Sequence, residues 1–347
     1  MFFSAKFFDN LRQKTGGIHM KIKNIKFITG VAATVIGMNV QLVFSAVPIN
    51  TPEELKDRIL ELPAGKVYID EAHVRLTPGN MRPEHVEILR HALENPGYLI
   101  TELELVQCDP KIFRSISEVL KDNSTLKKLS LVDCSINAED AKLLSEILKT
   151  KITLTTLNLS CNNIGVLGAQ YISEALKTNR TLTTLDLSFS DIGILGTHYI
   201  SEALKINRTL TTLDLSYNNI GDLGAQHISK ALQINGTLTT LGLTGNYIET
   251  LGGHCISEAL DENSKTTLTT LDLAQNDIAT FKIPPNSELT TLFLGDNNIR
   301  GDGVRQLAEK LSNNTTLTSL NISGNGVPEN MIVKALRNNT TITQLSY

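Results

Sequence analysis

From about residue 100 onward the apolar positions follow two periods in turn. In TLNL (156–159) and again in TLDL (184–187), leucines alternate with polar residues, and a period of two predicts a β-strand with one face buried. Farther along the same stretch, Ala169, Ile172, Ala175 and Leu176 fall at intervals of three and one, which is one stripe of a helix. Ile200, Ala203 and Leu204 repeat that stripe. The unit is therefore one strand followed by one helix.

That unit recurs. Residues 154–181 read LTTLNLSCNNIGVLGAQYISEALKTNRT and residues 182–209 read LTTLDLSFSDIGILGTHYISEALKINRT. The first leucine of each copy falls at Leu126, Leu154, Leu182, Leu210, Leu238, Leu268, Leu289 and Leu317, with spacings of 28, 28, 28, 28, 30, 21 and 28. A degenerate copy starts at Ile100 and a stub at Ile342. A strand, a helix and the next strand in register make parallel neighbours, and a single unit cannot bury its own apolar face, so the copies must stack into a solenoid. Strands stack about 4.8 Å apart while helices need about 8–10 Å, so the helical side spreads and the strands line a concave wall.

The L-x-x-L-x-L-x-x-N pattern and the 28-residue period resemble the leucine-rich repeat family, and the full helix in each copy looks like its ribonuclease-inhibitor-like class. The match covers residues 99–347, with traces back to Val67. The resemblance implies an α/β horseshoe with parallel strands on the concave face and helices on the convex face.

Several columns of the repeat carry candidate chemistry. Asn162, Asn218, Asn246, Asn276, Asn297 and Asn325 occupy position nine, where Cys108, Cys134 and Ser190 substitute. A short polar side chain there can satisfy backbone groups exposed as the chain leaves the strand, so this column reads as a structural ladder. Gly165 and Gly168, repeated as Gly193 and Gly196 and as Gly221 and Gly224, read as turn residues, because no phosphate-loop motif is present. The four cysteines lack metal-type C-x-x-C spacing. His198, His227 and His254 fall in consecutive helices, where an axis spacing of about 8–10 Å is large for one shared ion, so they are expected to stand separately on the helix surface. The N-x-T matches at Asn179, Asn207 and Asn235 repeat one pre-strand turn and are glycan acceptors only in a eukaryotic secretory host.

Outside the regular copies, the 21-residue unit from Leu268 contains ATFKIPPNSE, where Pro284 and Pro285 forbid a helix and predict a notch in the convex wall. Residues 47–98 are expected to form a helical cap, with helix starts at Thr51 and at Pro83. Residues 1–46 read as a leader, either a signal peptide or a membrane anchor, with Met20 as an alternative start. KIKNIK (21–26) precedes the uncharged run Phe27–Val47, which places the body across a membrane; an inactive leader leaves it cytoplasmic. The chain stops one strand into a copy at Tyr347, so no further domain is expected.

Charge and composition narrow the function. Residues 1–46 hold six bases and one acid of the chain's 32 and 36, leaving 26 bases against 35 acids in the body, which argues against nucleic acid. Aromatics are 5% and tryptophan is absent, so cofactor pockets are scarce, and no nucleophile signature is present; neither a cofactor nor a metal is expected. Three readings compete: a non-catalytic scaffold gripping a protein on the concave wall, a cytosolic inhibitor or activator of an enzyme, and an enzyme such as a leucine-rich-repeat ubiquitin ligase, which needs a catalytic domain after the repeats. The first is favoured, with export from a bacterium by analogy. Positions three, five and seven should face the concave wall and position eight its rim. Asp186, Asp214 and Asp272 then form an acidic row at position five, continued by Phe293, and Phe189 and Tyr217 are adjacent at position eight. These six residues are the expected partner site, and a basic protein is the expected partner, with a membrane touched only through the leader.

Overall fold

The computed structural model describes residues 68–70, 73–76, 83–95, 99–150, 153–263, 266–284, 287–337 and 339–347. The leader, the helix expected at Thr51, and Pro285 lie outside the described residues. Among the described residues the strands form one sheet in strictly sequential order. It opens with an antiparallel hairpin, β1 (Tyr68–Asp70) and β2 (His73–Leu76). From β2 the ladder is parallel: β3 (Glu102–Val106), β4 (Lys128–Val132), β5 (Thr156–Asn158), β6 (Thr184–Asp186), β7 (Thr212–Asp214), β8 (Thr240–Gly242), β9 (Thr270–Asp272), β10 (Thr291–Phe293), β11 (Ser319–Asn321) and β12 (Gln344–Ser346). The helices are α1 (Pro83–Glu94), α2 (Pro110–Asp122), α3 (Ala138–Lys149), α4 (Gly165–Thr178), α5 (Gly193–Leu204), α6 (Gly221–Leu232), α7 (Thr250–Glu262), α8 (Asp302–Asn313) and α9 (Glu329–Leu336). No helix of the described residues is long and apolar enough to cross a membrane.

The repeat sets the register. Leu157, Leu185, Leu213, Leu241, Leu271 and Leu292 stand opposite one another in successive strands and are fully buried. From the other side the helices supply Ala169, Ile172 and Leu176, then Ile200, Ala203 and Leu204, so that one aliphatic core runs the length of the stack. Between β9 and β10 no helix forms among the described residues. An extended stretch there buries Phe281 and Ile283 where a helix would place its stripe, and the Ser257 hydroxyl of α7 donates to the Lys282 carbonyl.

Two amide ladders hold the turns. Asn218, at position nine, accepts from the Ser190 and Ile192 N–H groups at 3.1 and 3.2 Å and donates to the Leu187, Leu215 and Ser216 carbonyls at 2.7, 3.0 and 3.1 Å. Asn162, Asn246, Asn276, Asn297 and Asn325 do the same job in their rungs. The substitutes keep only part of it. The Ser190 hydroxyl donates to the Leu159 and Ser188 carbonyls at 3.2 Å, and the Cys134 thiol donates to those of Leu105 and Val132 at 3.4 Å while accepting from the Cys108 N–H. The second ladder lies at the helix-to-strand turn. Asn179, Asn207 and Asn235 are buried, donate to the Leu148, Leu176 and Leu204 carbonyls, and accept from the following N–H groups. These N-x-T matches are framework amides with no side-chain nitrogen presented for a glycan.

The glycines divide into two roles. Gly165, at φ +63 with nothing near its Cβ position, makes the left-handed turn into α4. Gly168 has an ordinary helical backbone, and a Cβ there would stand 2.7 Å from Ile164 and 3.1 Å from Ala141, so its smallness lets α4 approach α3.

Candidate interaction face

Alternate side chains of each short strand point away from the core, and those of positions three and five form the exposed face of the sheet. Thr184, Asp186, Thr212 and Asp214 are half-buried, whereas Leu185 and Leu213 between them are fully buried. Position seven departs from the expected wall: Ser160, Ser188, Ser216 and Thr244 are buried. From β5 onward the strands end at position five, and the chain then enters a turn. That turn is left-handed in every rung from the copy at Ile100 to the copy at Leu317. Gln107, Asp133, Cys161, Phe189, Tyr217, Gln275 and Asp296 have φ of 52–58°, and Gly245 and Gly324 fill the column elsewhere. Non-glycine residues adopt this conformation at a cost of about 1–2 kcal/mol each, so the strain belongs to the repeat and not to one site.

On this frame the column of position five brings Asp186, Asp214, Gly242, Asp272 and Phe293 into register as successive neighbours. The Asp214 carboxylate leans over Gly242, where a Cβ would lie 2.6 Å from its Oδ1. At position eight the rings of Phe189 and Tyr217 stack with centroids 4.1 Å apart and planes 14° apart. The Tyr217 ring extends over Gly245, where a Cβ would fall 2.4 Å from Cε1, and its hydroxyl donates to Gln275 Oε1 at 2.5 Å. Phe293 therefore ends the carboxylate row, four rungs from Phe189, and does not join the aromatic pair. Gly245 and Gln275 belong to the cluster although the repeat pattern did not single them out; the signal was a glycine directly after the tyrosine in the same column.

Burial, followed by the Asp214 charge, pushes the Asp186 carboxyl up to about 6, against the opposing bonds from the Ser188 N–H and hydroxyl. Burial likewise raises Asp272, and burial with the charges of Asp272, Asp296 and Asp214 raises the Tyr217 hydroxyl. The Asp186 and Asp272 carboxylates are thus costly to keep ionised, and the fold does not need a charge at this position. At the same position Asn158 accepts from the Ser160 N–H at 2.8 Å, and Asn321 accepts from the Ser323 N–H and hydroxyl at 3.0 and 2.7 Å.

Asp186→Asn is accordingly expected to stabilise the protein by about 1–3 kcal/mol at pH 7.5, one pKa unit being worth ~1.4 kcal/mol. The proton is held more tightly in the folded chain than in the unfolded one, so the native carboxylate loses stability as pH rises from about 4 to about 6 and bears its full cost above that. The advantage of the variant should vanish below about pH 4, as read from urea midpoints across pH. An advantage that does not change with pH would show that the carboxyl is not perturbed.

A further column lies on the helical side. Leu167, Leu195, Leu223 and Leu251, at position fourteen of four successive rungs, are 55–60% exposed, although leucine is usually drawn to the core. They sit off the buried helix stripe, and the recurring Leu-Gly dipeptide marks them in the sequence.

A protein-family profile described as Leucine Rich repeat matches residues 122–145, 150–173, 178–196, 207–229, 264–280 and 313–327. No curated protein matches the sequence. Among solved structures, the chain is similar to the actin-binding site 2 of leiomodin-1, at 25% identity and TM-score 0.40, over 44% of this chain and 89% of that one. It is also similar to an internalin from Listeria monocytogenes, at 16% identity and TM-score 0.44, over 87% of this chain and 91% of that one. Six profile matches falling on the strand-and-amide rungs of one sequential parallel sheet make this chain a leucine-rich repeat protein.

Proposed function

We propose that the chain is a non-catalytic scaffold, exported by residues 1–46, whose exposed sheet face holds a basic segment of a partner protein. Solenoids of this family present extended faces for binding. The observation that carries the reading is the position-five row, in which Asp186 and Asp272 are retained as acids although burial disfavours their charge, where neighbouring rungs use asparagine at no electrostatic cost. Groups retained at a cost to stability are the expected mark of a functional surface. Beside them the stacked Phe189 and Tyr217 supply rigid aromatic area of the kind that dominates interface energetics. A lysine or arginine chain laid along the row would meet carboxylates at its head and rings along its stem.

The test is capture of a protein by the full chain, followed by titration of that protein at increasing salt. A partner whose affinity falls steadily with salt, and falls again for Asp214→Lys, supports the reading. A partner indifferent to both overturns it. Export is tested by fractionation, and a full-length chain that stays in the cytosol with its N-terminus intact turns the reading to a cytosolic enzyme regulator.

A further inference from the structure

The histidines of α5 and α6 do not stand apart. The rings of His198 and His227, both half-buried, reach across the gap between the two helices and bring their Nδ1 atoms to 3.3 Å, with centroids 4.6 Å apart and planes at 59°. Repeat copying does not produce this meeting. His198 occupies position seventeen of its copy and His227 position eighteen, and the equivalent positions hold Gln226 and Tyr199. One position is about 100° around a helix, so the two rings approach diagonally instead of standing in one column.

Two imidazole nitrogens can face each other at this distance in two ways. One ring donates and the other accepts, or both offer lone pairs to a common cation. For tetrahedral zinc with Zn–N of about 2.0–2.1 Å, neighbouring ligand nitrogens lie about 3.3–3.4 Å apart, so the observed pair is already spaced for chelation. The surroundings favour the ligand state. Glu202 lies one turn after His198 on α5 and bonds Lys205 at 2.5 Å, which places a carboxylate near the pair to offset the charge of a cation. His254 on α7 is engaged elsewhere, with its Nε2 3.0 Å from Glu258 of the same helix. Among the described residues no group of three His, Cys, Asp or Glu is placed to hold a metal, so the remaining positions would fall to water.

We propose that His198 and His227 form a two-imidazole site for a divalent transition metal of the zinc type, tying α5 to α6 on the side of the solenoid away from the sheet face. The site is independent of the proposed partner surface. Binding only to the folded chain would raise the unfolding temperature with metal concentration.

The test is titration of the full chain with zinc alone against a chromogenic chelator, with thermal unfolding followed in parallel. One equivalent is expected to bind and to raise the unfolding temperature. His198→Gln and His227→Gln should each weaken it at least tenfold and remove the thermal shift, and His254→Gln should leave both unchanged. X-ray absorption of the zinc complex supplies a measurement free of any variant, with two imidazole nitrogens expected at about 2.0–2.1 Å. No binding by the native chain, equal binding by the two variants, or a thiolate-dominated spectrum overturns the proposal.

Discussion

Asn218→Ala is expected to lower the unfolding free energy by about 3–5 kcal/mol, the largest loss for any single polar residue of the central rungs. The amide is fully buried and serves two N–H groups of the preceding rung and three carbonyls on either side of the turn. Each buried backbone group left without a partner costs about 1–3 kcal/mol, and a methyl offers none of them a replacement. Because a solenoid is stabilised by nearest-neighbour interfaces, a central rung weakens both of its boundaries. Asn218→Ser should lose less, because Ser190 shows that a hydroxyl at this position still donates to two of the carbonyls. Chemical unfolding followed by circular dichroism checks the order. Equal losses for the two variants would mean that the hydrogen bonds do not set the stability of the turn.

Leu213→Ala is expected to cost about 2–5 kcal/mol, the transfer term plus the cavity left between Leu185 and Leu241, since close-packed neighbours relax only partly. Thr212, one residue earlier on the exposed face, is half-buried, and Thr212→Ala should cost less than about 1 kcal/mol. Comparable shifts in unfolding midpoint would contradict the assignment of inward and outward faces.

What could be read in the sequence depended on recurrence. Leucine recurs at position four of every copy, and leucine or isoleucine at position six of every copy before the stub, so their period of two survives the shortness of the strands, most of which are three residues long and could not be detected one at a time. The hairpin of β1 and β2 comes from single short runs, YID and HVRL, and had no copies to reveal it. The left-handed turn at position eight was hard to read because glycine fills the column only at Gly245 and Gly324, whereas glutamine, cysteine, phenylalanine and tyrosine elsewhere advertise no positive φ; the backbone ladder imposes it. The second amide ladder was visible only as a turn, since nothing in N-x-T says that the side chain points into the stack. For the histidines, the spacing of helix axes misled, because it ignores the reach of two imidazoles leaning toward each other. The carboxylate row was legible from its column, but its burial was not, since that depends on how the next turn folds over it.

The most direct test of the sheet face as the binding surface is the affinity of a captured partner for Tyr217→Ala against that for Leu223→Ser. The tyrosine stacks on Phe189 beside the carboxylate row, and the leucine belongs to the exposed column on the helical side. Loss of an aromatic anchor of about 2 kcal/mol corresponds to roughly thirtyfold weaker binding, and that is the result expected for Tyr217→Ala, with Leu223→Ser unchanged. Binding that survives Tyr217→Ala and is lost with Leu223→Ser would place the partner on the helices and contradict the proposed function.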